Sequence, residues 1–153
     1  MGRMGKLVAV AAVLLGFLGA SAQARDIDIP FFGLWMITKA TPAPWVDRAH
    51  ASDPFLAQRW VGKKVIFLWD VIDAPDPLGC DAPDYRTVEV PPEGLFQGAL
   101  TSPVIQAQAL GFRAGAPVIT LQTDCEGAID FHFVNTTTAM FALNNVIYTL
   151  RRR

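Results

Sequence analysis

Few side chains in this 153-residue chain are of types that do chemistry, and their spacing narrows the choice. Asp130 and His132 alternate with Ile129, Phe131 and Phe133. In a strand, that alternation puts the carboxylate and the imidazole on one face and the three apolar groups on the other. The two polar groups would stand about 7 Å apart at the backbone, two residues along a strand. Facing the interior of a barrel, they could orient a ligand or pass a proton. Facing outward, they would be a solvated pair. Asp47, His50, Ser52 and Asp53 include the residue types of a triad, but no nucleophile elbow surrounds Ser52, and the group reads as a loop charge cluster. Ser102 precedes Pro103 and is expected to cap a helix. The aspartates at 70, 73, 76, 81 and 84 lack the EF-hand spacing, and each sits where Asp and Pro make turns. No metal and no cofactor is expected.

Cys80 and Cys125 are the only two cysteines. In an exported chain an even pair reads as a disulfide. Two thiolate metal ligands are the alternative, and neither cysteine has a partner at Cys-x-x-Cys or Cys-x-x-His spacing. Closing the 45-residue loop would contribute on the order of 4 kcal/mol by the chain-entropy argument.

Four tryptophans remain. Trp69 lies in the apolar run 64–72 and is expected in the core. Trp35 follows Gly33-Leu34, Trp45 ends Thr41-Pro42-Ala43-Pro44, and Trp60 sits in a short-helix context before Gly62. Aromatic side chains held by prolines lose little entropy on binding, which suits them to recognition. Trp35, Trp45 and Trp60, with Asp130 and His132, are therefore the candidate binding residues. For Trp45 a cover over a barrel mouth is the alternative.

The elements that must position these groups are mostly strands. Residues 125–150 hold two alternating apolar runs that meet at Asn144-Asn145, and Asn tolerates the positive φ of a two-residue hairpin turn. That turn pairs Leu143 with Val146, Phe141 with Tyr148 and Ala139 with Leu150. A three-residue loop at 135–137, which also reads as a glycosylation sequon, then sets Phe133 beside Ala139. Three strands share one apolar face, and another layer must cover it. Further strands are predicted at 31–41, 64–72, 85–90 and 118–122, with a helix from Pro103 ended by Gly111. The run 64–72 is apolar at nearly every position, as in a strand covered on both faces. Pro42 and Pro44 are expected to end the first strand.

Residues 1–24 read as a signal peptide, with Arg3 and Lys6 before a fourteen-residue apolar run and Ala22-Gln23-Ala24 as the cleavage site. The run is short for a spanning helix, so no stable membrane anchor is expected. The remaining 25–153 are enough for one domain and too few for two. Without Arg3 and Lys6, eleven Lys and Arg face fourteen Asp and Glu, a net −3 that gives nucleic acid no attraction. Arg151-Arg152-Arg153 is a basic end read as solvated. A periplasmic or secreted location follows.

Gly33-Leu34-Trp35, the succession of short strands, the single helix and a last strand ending in Leu150-Arg151 resemble the lipocalin-like (calycin-type) small barrels. Among exported bacterial proteins the chain is also similar to single-disulfide barrels that inhibit secreted metalloproteases, although its first cysteine falls far beyond the opening strand. The resemblance implies a mainly β, single-domain antiparallel lipocalin-like barrel or strongly curved sheet with one short helix covering an end. The function expected is that of a non-catalytic exported binding protein, a possible inhibitor, recognising a protein partner or a small apolar ligand through the barrel mouth and the proline-rich loop. A barrel enzyme using Asp130 and His132 and an envelope structural protein without ligand are the alternatives.

Overall fold

The computed structural model describes residues 31–47, 57–127 and 129–153. The expected signal peptide, His50, Ser52 and Asp53 lie outside the described residues. Asn144 and Asn145 take φ of 49° and 63°, the left-handed pair that a two-residue hairpin turn needs. They join β8 (Thr138–Leu143) to β9 (Val146–Arg152) in the register the sequence predicts, with Leu143 opposite Val146, Phe141 opposite Tyr148 and Ala139 opposite Leu150. On the other side of β8, β7 (Phe131–Asn135) sets Phe133 against Ala139, again as expected. The loop between them is one residue shorter than expected, because Asn135 pairs with Thr138 across a bulge. Asn135 Oδ1 accepts from the amide and the hydroxyl of Thr137, both at 3.0 Å, and this closes the turn.

The remaining strands are β1 (Gly33–Pro42), β2 (Lys64–Phe67), β3 (Val71–Asp73), β4 (Cys80–Asp81), β5 (Arg86–Val90) and β6 (Val118–Gln122). Among the described residues, all nine strands make one antiparallel sheet in the order β4-β3-β2-β1-β9-β8-β7-β6-β5. The sheet is strongly curled. Phe67 on β2 and Phe131 on β7 have ring centroids only 5.0 Å apart, although four strand spacings, about 19 Å in a flat sheet, separate them. The two edges are drawn toward each other as well. Cys80 on the edge strand β4 is bonded to Cys125, which follows β6. Between the edges, the Asp84 amide donates to Thr123 O at 3.1 Å, and the Tyr85 hydroxyl donates to Leu68 O at 2.8 Å. The result is a half-barrel whose concave side holds Trp35, Phe67, Leu121, Phe131, Phe141 and Leu150, all at most 2% exposed.

The convex side carries a second apolar layer. There Met140, Ile147 and Val118 pack against Leu95, Phe96 and Phe112, from the 3₁₀ segment Pro92–Gly98 and the residues around helix α1 (Pro103–Ala109). The helix thus covers the outer face of the sheet rather than an end of it.

Two expectations are corrected. Residues 64–72 are not one strand covered on both faces; the chain turns at Leu68, Trp69 and Asp70, making a β2–β3 hairpin closed by Leu68 N–H to Val71 O at 3.0 Å. Trp69 sits at its tip and is 82% exposed, not core. The apolar run misleads because Val65, Phe67 and Ile72 are buried in the concave core, while Ile66 and Val71 point to the outer face. The first strand also does not stop before Pro42. It runs on beside β9, with Pro42 opposite Val146. Beyond Met36 it has no β2 partner, so the missing proline N–H breaks no ladder.

Candidate functional site

His132 stands on β7 opposite Met140 of β8 and Thr120 of β6, on the outer face, and is 1% exposed. Neither alternative from the sequence describes it: the ring is outside the half-barrel, yet it is sealed from water by the 3₁₀ segment. Its Nε2 accepts the backbone N–H of Phe96 at 3.0 Å. An amide can only donate, so Nε2 carries no proton and the neutral ring holds its hydrogen on Nδ1. Nδ1 lies 2.8 Å from Thr120 Oγ1 and donates to it, and the Thr120 hydroxyl is directed toward Val118 O at 3.4 Å. Burial lowers the imidazole pKa from 6.5 to about 4. The ring is held neutral with both nitrogens in use.

Its partner is unusual. Phe96 and Gln97 have φ of 51° and 59°, a left-handed pair that bulky side chains rarely adopt. The Phe96 ring stands edge-on to the imidazole, 4.8 Å between centroids, and is itself buried. The bond from its amide to His132 therefore fixes the backbone just where it is strained.

Asp130 shares that face and is half-buried. Burial pushes its carboxyl above the usual range, against a hydrogen bond from Gln122 that favours the ionised form. Two clefts meet at Asp130. One, of about 220 Å³, is lined by Phe96, Asp130, His132, Leu143 and Asn144 among others. The other, of about 170 Å³, includes Asp84, Arg86, Asp124 and Asp130. Asp130 and His132 thus do border one cleft, but the ring offers it no free nitrogen. Among the described residues, no group of three His, Cys, Asp or Glu is placed to hold a metal ion.

The candidate tryptophans are placed apart. Trp35 and Trp60 are buried in the concave core, Trp35 against Phe133 and Trp60 against Tyr148. Trp35 Nε1 donates to Phe31 O at 2.8 Å, and Arg152 lies over its ring at 5.9 Å while donating to Phe32 O. The Gly-x-Trp and the C-terminal arginines therefore meet on paired strands, and Arg152 is not a solvated end. Trp45 packs half-buried on Phe96, 5.7 Å between centroids, so the proline-rich loop lies down on the outer layer.

A different aromatic group reaches the surface. Beside the tip of the β2–β3 hairpin, Trp69 lies 4.8 Å from Phe32, and Phe32 lies 4.3 Å from Phe31 and 5.4 Å from Tyr85. Leu68 next to them is 44% exposed. Burial and then the negative charge of Asp70 push the Tyr85 hydroxyl up to about 12, which keeps it a donor to Leu68 O. Sequence reasoning missed Trp69 as a surface residue, and the signal was its neighbour: Trp69-Asp70 interrupts the apolar run with turn chemistry. Among the described residues, no helix is long and apolar enough to cross a membrane. The chain matches no protein-family model, no curated protein and no solved structure.

Proposed function

We propose that this is a non-catalytic, exported, lipocalin-like binding protein that recognises a protein partner through the aromatic mouth formed by Phe31, Phe32, Trp69 and Tyr85. One observation carries the reading: Trp69 is 82% exposed at a hairpin tip, yet rests on a fixed aromatic neighbour. An aromatic ring held in place before contact loses little entropy on binding, and such anchors dominate interfaces. The aromatic packing on the concave side favours recognition at the mouth over enclosure of a small apolar ligand. The engagement of both His132 nitrogens favours binding over acid–base turnover. The Cys80–Cys125 bond fits a compartment outside the reducing cytosol.

The test is capture from envelope extract, together with a broad hydrolase screen, on the parent, Trp69→Ala and His132→Ala. Trp69→Ala should weaken capture by more than about 1 kcal/mol, the scale of an interface hot spot. Its folding should change by less than about 0.5 kcal/mol, as at an exposed position. Turnover in the parent that disappears in His132→Ala would overturn the reading.

A further inference from the structure

Among the described residues, the outer face of the sheet is covered over only part of its width. Helix α1 and the 3₁₀ segment pack on β5 through β9, but Leu34, Met36, Ile66 and Val71 on β1, β2 and β3 belong to neither apolar cluster. The register places them side by side. Asp73 pairs with Ile66, Ile66 with Leu34, and the Arg153 amide donates to Leu34 O at 3.0 Å. One row across the sheet therefore reads Asp73, Ile66, Leu34, Arg153. The next row reads Lys64, Met36, Arg151. Strand alternation sends all of these outward, because Val65, Trp35 and Phe67 between them point into the core.

The border charges differ across this face. Asp73 on β3 and Asp81 on β4 stand on one side, and Arg151 on β9 and Arg153 just after it on the other, all exposed. From this polarity we infer that the face binds a second copy of the chain. A two-fold axis lying in the interface and running along β1 and β2 reverses the strand order of the partner. It sets Asp73 of one copy over Arg153 of the other, and Ile66 over Leu34, twice in each dimer. An axis across the strands would instead set acid on acid. Two-fold pairing satisfies both signs at once, whereas an anionic bilayer would leave Asp73 and Asp81 facing lipid phosphates. Two sheet faces packed in this way stand about 10 Å apart and near-aligned. The inference is independent of the aromatic mouth.

The experiment is sedimentation of the purified, disulfide-bonded protein across concentration. Three variants accompany the parent: Ile66→Asp, Asp73→Lys with Asp81→Lys, and Arg151→Glu with Arg153→Glu. The parent should form a dimer. Each variant should raise the dimer Kd by about tenfold or more, since like charges then face each other or a charge enters the apolar strip. Near-UV circular dichroism shows whether each variant keeps its fold. An equimolar mixture of the two charge-reversed variants should recover a heterodimer near parental affinity, which damage to the fold could not produce. A parent that stays monomeric would overturn the inference. So would a dimer indifferent to all three variants, or two charge-reversed variants that fail to associate when mixed. Binding of a monomeric parent to vesicles of phosphatidylglycerol, lost in Arg151→Glu with Arg153→Glu, would assign the face to lipid instead.

Discussion

The β8–β9 hairpin and the β2–β3 hairpin are both antiparallel pairs closed by short turns, and they put opposite chemistry at their tips. At the first, the tip is Asn144-Asn145, polar and exposed; Phe141, Val146, Ile147 and Tyr148 behind it are buried and Leu143 is partly so. At the second, the tip is Leu68-Trp69-Asp70, and an indole is left in water. A tip needs only residues that turn, so polar chemistry is the cheaper solution. The β2–β3 tip departs from it while resting on Phe32 and Tyr85. Apolar surface retained at a turn is where recognition is to be sought, and the alternating strands behind the other turn are where stability resides.

The largest effect is expected at Phe141, which packs against Trp60, Phe131 and Tyr148 behind the polar tip. Phe141→Ala should cost about 3–5 kcal/mol in urea denaturation. A loss below about 1 kcal/mol would mean that this hairpin is not the stable one. Next comes the disulfide, which anchors the β2–β4 side of the sheet to the residues after β6. Replacing both cysteines by alanine should cost about 2–5 kcal/mol. Hydrogen exchange should quicken in β2, β3 and β4 before it does in β7 to β9. Equal loosening of both regions would erase the distinction drawn here.

Acid acts on the two regions unequally. The His132 ring stays neutral in the folded protein down to about pH 4, whereas in the unfolded chain it takes a proton near 6.5. The unfolded state binds that proton first, so the stabilisation is complete above pH 6.5 and is lost as pH falls through 4. Its size is on the order of 3 kcal/mol. Burial of Asp130 shifts its pKa upward and so acts in the opposite sense, which a comparison of the parent with His132→Gln cancels. The difference in stability between the two should shrink from pH 7 to pH 4, with exchange rising first in the 3₁₀ segment and β6–β7, and not at the β2–β3 tip. The smallest effect belongs to Asn145→Gly. At a φ of 63° glycine is free of strain, and the change should be neutral or stabilising by up to about 0.5 kcal/mol, read as a thermal midpoint.

The legible parts of the fold were those in which one face is buried and the turn has its own chemistry. The register from Ala139 to Leu150 and the strand Val118–Gln122 follow from alternation and the Asn pair. The helix begins at Pro103 as Ser-Pro predicts, but the Ser102 hydroxyl makes no capping bond; its amide donates to Gln106 Oε1 at 3.0 Å instead. The run 64–72 was illegible because its outward Ile66 and Val71 are apolar while joining neither apolar cluster, and alternation vanishes when both faces carry the same kind of side chain. The surroundings of His132 were hidden for another reason. Residues 93–101 have no period, and the lid over the imidazole depends on positive φ at Phe96 and Gln97, which neither residue type announces. That Asp130 and His132 share a face was readable; what covers that face came from a segment some 36 residues away.

The pairing of β1 with β9 has a temporal side. Ile37 cannot meet Leu150, nor Trp35 meet Arg152, until more than a hundred intervening residues have been synthesised and their chain ends brought together. β9 is the middle strand of the nine and joins β1 to β8, so strands β1 to β4 can pair only among themselves before then. Hairpins β7–β8 and β8–β9 can zip locally within microseconds of emerging, but closing so long a loop is among the slowest steps available to a small domain. The polypeptide therefore spends its synthesis without a completed core and acquires one only when its last strand arrives.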